Sequence, residues 1–231
     1  MSKKAIEPDL MIEITQDFSV IYPRAAVGIL VLENVKAQYS VEKLDDIKRE
    51  IILNLQKQFP DKNTLKEHSV IQAYSRYYKK FEKSYHVLGQ LKSVIFENHP
   101  LSAGTGLIET VFIAELKNML LTAIHDLDSI RFPLKIGVSS GEEVYTTLRG
   151  NEQCLKPGDM MVRDQAGVIS SVIYGPDCRT CVTPSTSNSM MVVYAPDGIR
   201  REEIIDHFEA IKRIIGIISP QFITALQTIY P

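Results

Sequence analysis

The chain has 231 residues, 45% of them apolar and 23% charged, the balance of a folded protein with a core. Its formal net charge of −2 disfavours a protein that coats long nucleic acid and leaves room only for a local basic patch. No apolar run approaches the roughly 18 residues of a membrane span, and no apolar stretch follows Lys3 and Lys4, so neither a span nor a secretion signal is expected. Three cysteines cannot all pair, which predicts reduced thiols in the cytoplasm.

In chain order, residues 1–8 read as an unstructured lead-in and 11–15 as a first strand. Residues 25–32 (Ala-Ala-Val-Gly-Ile-Leu-Val-Leu) form an unbroken apolar run of strand length, as a strand covered on both faces requires. Ser40 is placed to cap a helix with Glu42 in its first turn; Val41, Leu44, Ile47, Ile51, Leu55 and Phe59 share one face, and Pro60 ends it. Residues 69–97 have a helical pattern and are rich in tyrosine. After Pro100 and Gly104-Thr105-Gly106, an apolar helix is predicted over 107–121, with Leu107, Val111, Ala114, Leu116 and Leu120 inward. From Asp126 the pattern changes to short strands at 134–138, 143–148, 160–163, 167–174 and 189–194, with turn signals at Pro157-Gly158-Asp159 and Gln165-Ala166-Gly167. Ile204, Phe208, Ile211 and Ile215 mark a helix that Gly216 is expected to break. Ser219-Pro220 is expected to open a last helix with Phe222, Leu226 and Ile229 inward. Helices on either side of a strand-rich middle predict an α+β fold, a mixed β-sheet with flanking helices, in one domain.

Five groups of residues carry chemistry that needs weighing. Gly104-Thr105-Gly106 offers helix-start amides to a phosphate or carboxylate, but the dinucleotide and phosphate-loop patterns are missing, and a plain helix start near Ser102 or Thr105 is favoured. Asp126 and Asp128 point the same way if His125-Asp126-Leu127-Asp128 is extended, where they can hold a metal, an amine or ribose hydroxyls; in a loop they would cap backbone amides instead. Cys178-Arg179-Thr180-Cys181 has zinc or redox spacing, yet no second close pair exists and Val182-Thr183-Pro184 is a poor helix start, which disfavours both. The segment 175–188 crowds Asp177, Arg179, Thr180, Thr183, Ser185, Thr186, Ser187 and Asn188 between two strands, either to orient a water or an ester or as a solvated connection. Arg76, Lys79, Lys80 and Lys83, opposed only by Glu82 and interleaved with Tyr77, suit a nucleic-acid backbone with stacked bases, or else a solvated helix face with its tyrosines on the core.

One ordered series is more specific than any of these groups. It comprises Leu107-Ile108-Glu109-Thr110-Val111, His125-Asp126-Leu127-Asp128-Ser129-Ile130, Gly141-Glu142, Leu155-Lys156-Pro157-Gly158-Asp159, Arg163-Asp164, and Tyr174-Gly175-Pro176-Asp177-Cys178-Arg179-Thr180 with Thr186. Over about residues 104–196 this series resembles the tRNA-editing domain of the phenylalanyl-tRNA synthetase beta subunit and its free-standing relatives. The strand and helix region 9–100 fits more loosely, and the helices expected over 200–230 look like an addition. Where the synthetase carries a histidine three residues before the first aspartate, this chain has Ala123 and, two residues later, His125.

The resemblance implies a hydrolase that acts in trans and removes a wrongly attached amino acid from tRNA. The alternative is a non-catalytic module of the same fold that binds tRNA, an amino acid or a protein. In the first reading His125 carries a proton, Arg179, Thr180 and Thr186 position ester and water, and Asp126, Asp128, Gly175 and Asp177 hold the substrate. Arg76, Tyr77, Lys79, Lys80 and Lys83 would hold the tRNA. No metal or other cofactor is expected; a synthetase or a second copy of the chain is a further partner to consider.

Overall fold

The computed structural model describes residues 12–36, 41–101 and 106–231. The expectations placed on 1–8, Met11, Ser40, Ser102, Gly104 and Thr105 lie outside the described residues. The elements in order are β1 (Ile12–Ile14), α1 (Gln16–Ile21), β2 (Ala26–Glu33), a 3-10 turn (Val41–Leu44), α2 (Asp45–Gln58), α3 (Lys62–Glu67), α4 (Ser69–Lys79), α5 (His86–Phe96) and α6 (Leu107–Asn118). They continue with β3 (Thr122–Asp126), a second 3-10 turn (Leu127–Ser129), β4 (Leu134–Val138), β5 (Val144–Thr146), β6 (Glu152–Cys154), β7 (Met160–Asp164), β8 (Gly167–Ser171), β9 (Gly175–Pro176), β10 (Asn188–Ala195), α7 (Arg201–Ile218) and β11 (Ile223–Tyr230).

The fold is α+β, as the sequence predicts. One sheet runs β1-β4-β7-β8-β9 and is mixed, because β1 lies parallel to β4 while the remaining neighbours are antiparallel. The second runs β11-β2-β10-β3 and is antiparallel throughout; β5 and β6 form a separate hairpin. The apolar run of β2 is buried along nearly its whole length because the strand is internal to its sheet and packed on both faces. On one face α7 lies so close at Gly28 that a Cβ there would meet Ile204 and Phe208 at 2.7 Å. The other face meets the mixed sheet, where the Tyr194 hydroxyl of β10 bonds the Ser170 hydroxyl of β8 at 2.7 Å.

Helix α4 ties the two sheets together through buried tyrosine hydroxyls. Tyr74 donates to the Tyr194 carbonyl at 2.5 Å, Tyr77 donates to the Asp159 carboxylate at 2.7 Å, and Tyr78 donates to the Val172 carbonyl at 2.8 Å. The phenols satisfy polar groups that burial would otherwise leave orphaned. Tyr77 is only 2% exposed, so it cannot stack on a base, which corrects the aromatic part of the tRNA-contact expectation.

Three other expectations change. The helical pattern of 69–97 is two helices, α4 and α5, because residues 80–85 turn the chain with Glu82 at positive φ. Gly216 does not break α7, which continues to Ile218. The last segment is a strand and not a helix: Ile223, Thr224, Thr228 and Ile229 are β-branched, and pairing with β2 satisfies that strand's free edge.

Candidate functional site at the edge of β3

Among the described residues, strand β3 pairs on one side only, with β10. The Asp126 and Thr122 amides both bond away from β10, so the alternation of an antiparallel pair turns the Ile124 backbone groups outward as well. The Asp126 amide meets the Thr180 carbonyl at 2.7 Å, and the Thr122 amide meets the Glu115 carboxyl at 3.0 Å. Between them, the Ile124 amide has no hydrogen-bond partner among the described residues.

That open edge borders a cavity of about 320 Å³. Helix α6 supplies one wall with Ile108, Val111, Phe112 and Glu115, a spacing that puts all four on one helix stripe. Thr122 and Ile124 supply the strand, and Leu148, Pro176, Cys181 and Val182 close the remaining side. The lining is apolar apart from Thr122, Cys181 and Glu115. Burial pushes the Glu115 carboxyl up to about 8, against the lowering effect of the Thr122 amide, so it is largely protonated at neutral pH and can donate a hydrogen bond. Behind the strand, the Thr122 hydroxyl sits 2.7 Å from His207 Nε2 on α7. Burial, and then Lys117, push His207 down to about 3, so the imidazole is neutral.

A second cavity, of about 410 Å³, adjoins the first and shares Leu148 and Pro176 with it. Its lining is polar: Thr147, Arg149, Asn151 and Gln153 come from the β5–β6 hairpin, and Ile173 and Tyr174 come from the approach to β9. The Lys83 ammonium lies 5.9 Å from the Tyr174 ring centroid. Lys83 is exposed, as are Arg76, Lys79 and Lys80, so the predicted cations do reach the surface and Lys83 stands beside the polar cavity.

The predicted residues around 126 and 179 come together. Arg179 donates to the Asp164 carboxylate at 2.9 Å and to the Ser129 carbonyl at 3.0 Å, with Asp177 at 3.7 Å. Thr180 donates its amide to Asp177 at 3.1 Å, its hydroxyl contacts the same carboxylate, and that hydroxyl lies 2.7 Å from His125 Nδ1. Burial raises the Asp177 carboxyl, and the two Thr180 hydrogen bonds and Arg179 oppose this. The Thr186 hydroxyl donates to Asp126 at 2.7 Å and accepts from the Thr183 amide at 2.9 Å. Gly175, at φ +77°, gives its carbonyl to the Tyr145 hydroxyl at 2.8 Å.

These bonds make a latch that fixes the 175–188 segment beside β3. Asp126 and Asp128 do not project together from an extended strand: β3 ends at Asp126, whose carboxylate accepts the Asp128 amide at 3.0 Å. Asp128 instead accepts from the Asn188 side chain at 3.3 Å. His125 is fully buried, and burial followed by the Arg179 charge pushes it down to about 3. It is therefore neutral and sealed from solvent, which removes it as a proton carrier to a substrate.

The sequence reading missed Glu115, the Ile124 edge and the whole α6 stripe. The signal was present as an acid seven residues after Ile108, on the stripe that Ile108, Val111 and Phe112 make apolar, but apolar spacing on a helix usually means core.

Among the described residues no helix is long and apolar enough to cross a membrane, and no three His, Cys, Asp or Glu side chains gather as a metal would need. No protein-family profile matches the chain, and neither does any curated protein sequence. The fold is similar to the crystal structure of an N-terminal fragment of the phenylalanyl-tRNA synthetase beta-subunit from Pyrococcus horikoshii, with a TM-score of 0.46 and 13% identity. The similarity covers 94% of this chain, which spans about half of that fragment (49%).

Proposed function

We propose that this protein removes an amino acid from an aminoacylated tRNA by hydrolysis, acting in trans. One observation carries the reading: an apolar cavity on an open strand edge adjoins a polar cavity, the two sharing Leu148 and Pro176. An aminoacyl nucleotide has the same division, with a side chain at one end and a ribose and base at the other. The apolar cavity would take the amino-acid side chain, and Arg149, Asn151 and Tyr174 would meet the nucleoside.

The chemistry asked of the protein is modest, since an aminoacyl ester is already activated. Water adds to the ester carbonyl, the oxygen gains negative charge, and the ribose oxygen leaves with a proton. The outward Ile124 amide is the donor in reach of that oxygen in this reading, and fixed donors of this type contribute strongly in a dry site. Glu115 would donate to the substrate or receive its amine. Asp126, Asp128, Arg179, Thr180, Thr186, Gly175 and Asp177 hold the wall in place and are positioning residues. Arg76, Lys79, Lys80 and Lys83 would follow the phosphates away from the site.

The binding module without turnover is favoured by a different observation. The buried histidine is sealed, the aspartates already have partners, and Glu115 is largely protonated at neutral pH, so among the described residues no side chain beside the apolar cavity is a fully ionised base there.

The test is a panel of mischarged tRNAs incubated with the protein, followed by measurement of free amino acid. Hydrolysis predicts release that is lost when Val111→Trp fills the cavity in a still-folded protein. Filter binding of the same tRNAs without release selects the binding module. Neither release nor binding removes both readings.

A further inference from the structure

The latch places the Cys181 thiol at the wall of the apolar cavity, with Cys178 three residues before it. Cys178 through Cys181 form a tight turn in which the Cys181 amide donates to the Cys178 carbonyl at 3.4 Å. Such a turn holds its first and fourth Cα atoms within about 7 Å, the reach of a disulfide. The two side chains are close enough to interact, since Cys178 is among the groups that raise the Cys181 thiol. Cys178 is exposed and Cys181 partly so, and both are reduced.

The frame around the turn is fixed on every side. The Cys178 amide donates to the Thr146 carbonyl at 2.8 Å, Arg179 is held by Asp164 and Ser129, and Thr180 is held by Asp177, His125 and the Asp126 amide. The intervening residues are thus tied down while the two cysteine side chains stay at least partly exposed at the ends of the turn. Cys181 and Val182 line the apolar cavity, so any bond made at Cys181 acts on that wall. The remaining cysteine, Cys154, belongs to the β5–β6 hairpin and donates to the Gly141 carbonyl at 3.2 Å.

We propose that Cys178 and Cys181 are a thiol–disulfide site, closed by low-molecular-weight disulfides, whose oxidation stiffens the cavity wall. The steps balance with oxidised glutathione as the oxidant. The exposed Cys178 thiolate attacks one glutathione sulfur, forming a mixed disulfide and releasing one reduced glutathione. The Cys181 thiolate then attacks the Cys178 sulfur and releases the second glutathione. Two protons and two electrons leave the protein, and one disulfide becomes two thiols. Burial and the adjacent Cys178 raise the Cys181 thiol and lower its thiolate fraction, so Cys181 attacks second, where the intramolecular geometry offsets that loss.

The experiment treats the full chain with oxidised glutathione, quenches with acid, and measures intact mass and peptide masses; amide hydrogen exchange is followed on the reduced and oxidised forms. The expected result is loss of two hydrogens, a Cys178–Cys181 cross-link, the same outcome in Cys154→Ser, and reversal by dithiothreitol. Cys178→Ser is expected to give no cross-link, and Cys181→Ser to stop at a glutathione adduct on Cys178. Exchange across 176–182 should slow several-fold on oxidation. A stable glutathione adduct in the wild-type chain, a cross-link through Cys154, or unchanged exchange at 176–182 would each overturn the proposal. None of these readouts depends on tRNA or on hydrolysis.

Discussion

At the scale of single residues, Glu115 is the clearest case of environment setting chemistry. Burial moves its carboxyl from the ordinary range up to about 8, so the folded protein holds a proton that the unfolded chain releases near pH 4.5. A folded-state pKa raised in this way favours folding below the unfolded value, and the advantage fades as pH rises towards 8. Between pH 6.5 and 8 the loss amounts to at most about 2 kcal/mol. His125 and His207 act in the opposite direction but below this window, because their depressed pKa values cost stability only as pH falls under 6.5. Urea unfolding of the wild type should therefore show a midpoint that falls from pH 6.5 to 8. Glu115→Gln should flatten that fall, and an unchanged slope in the variant would remove Glu115 as its source.

At the scale of elements, the seating of α7 on the antiparallel sheet depends on one missing side chain. The Ile204 and Phe208 side chains occupy the space over Gly28, and both are buried. The packing is backbone against side chain, so the helix must lift or its side chains must leave their rotamers to admit a methyl group. Gly28→Ala should cost about 1–3 kcal/mol, read as a lowered melting temperature. Loss of α7 contact should also loosen Thr122, whose hydroxyl depends on His207. The apolar run of β2 was legible in the sequence because a doubly covered strand has no polar face. The final strand was not, because Phe222, Leu226 and Ile229 fit a helical stripe as well as a strand, and only β2 beside it decides between them.

At the scale of the whole molecule, β11 closes an edge that would otherwise be long and apolar. β2 presents seven of its eight residues to β11 and is covered on both faces, so only its outer ladder remains to be paired. A chain ending at residue 222 would expose those backbone groups, and an unpaired apolar edge recruits other chains. Light scattering on that truncated protein should show concentration-dependent association that the full chain lacks; a strictly monomeric truncation would refute this role for β11.

The candidate site was partly legible. The proximity of Asp126, Arg179, Thr180 and Thr186 was implied by the resemblance that the ordered series carries, and the structure does gather them. Their roles did not follow, since a hydroxyl or carboxylate looks the same in a sequence whether it faces a substrate or another side chain. The sequence by itself determined the α+β class, the internal strand β2 and the polar segment before β10, because apolar periodicity and turn chemistry are local. Only the tertiary structure decided that β3 has one free edge, that Glu115 is buried beside it, and that the two cavities adjoin. Those facts depend on which strands pair and which helix covers them, and no local pattern encodes that.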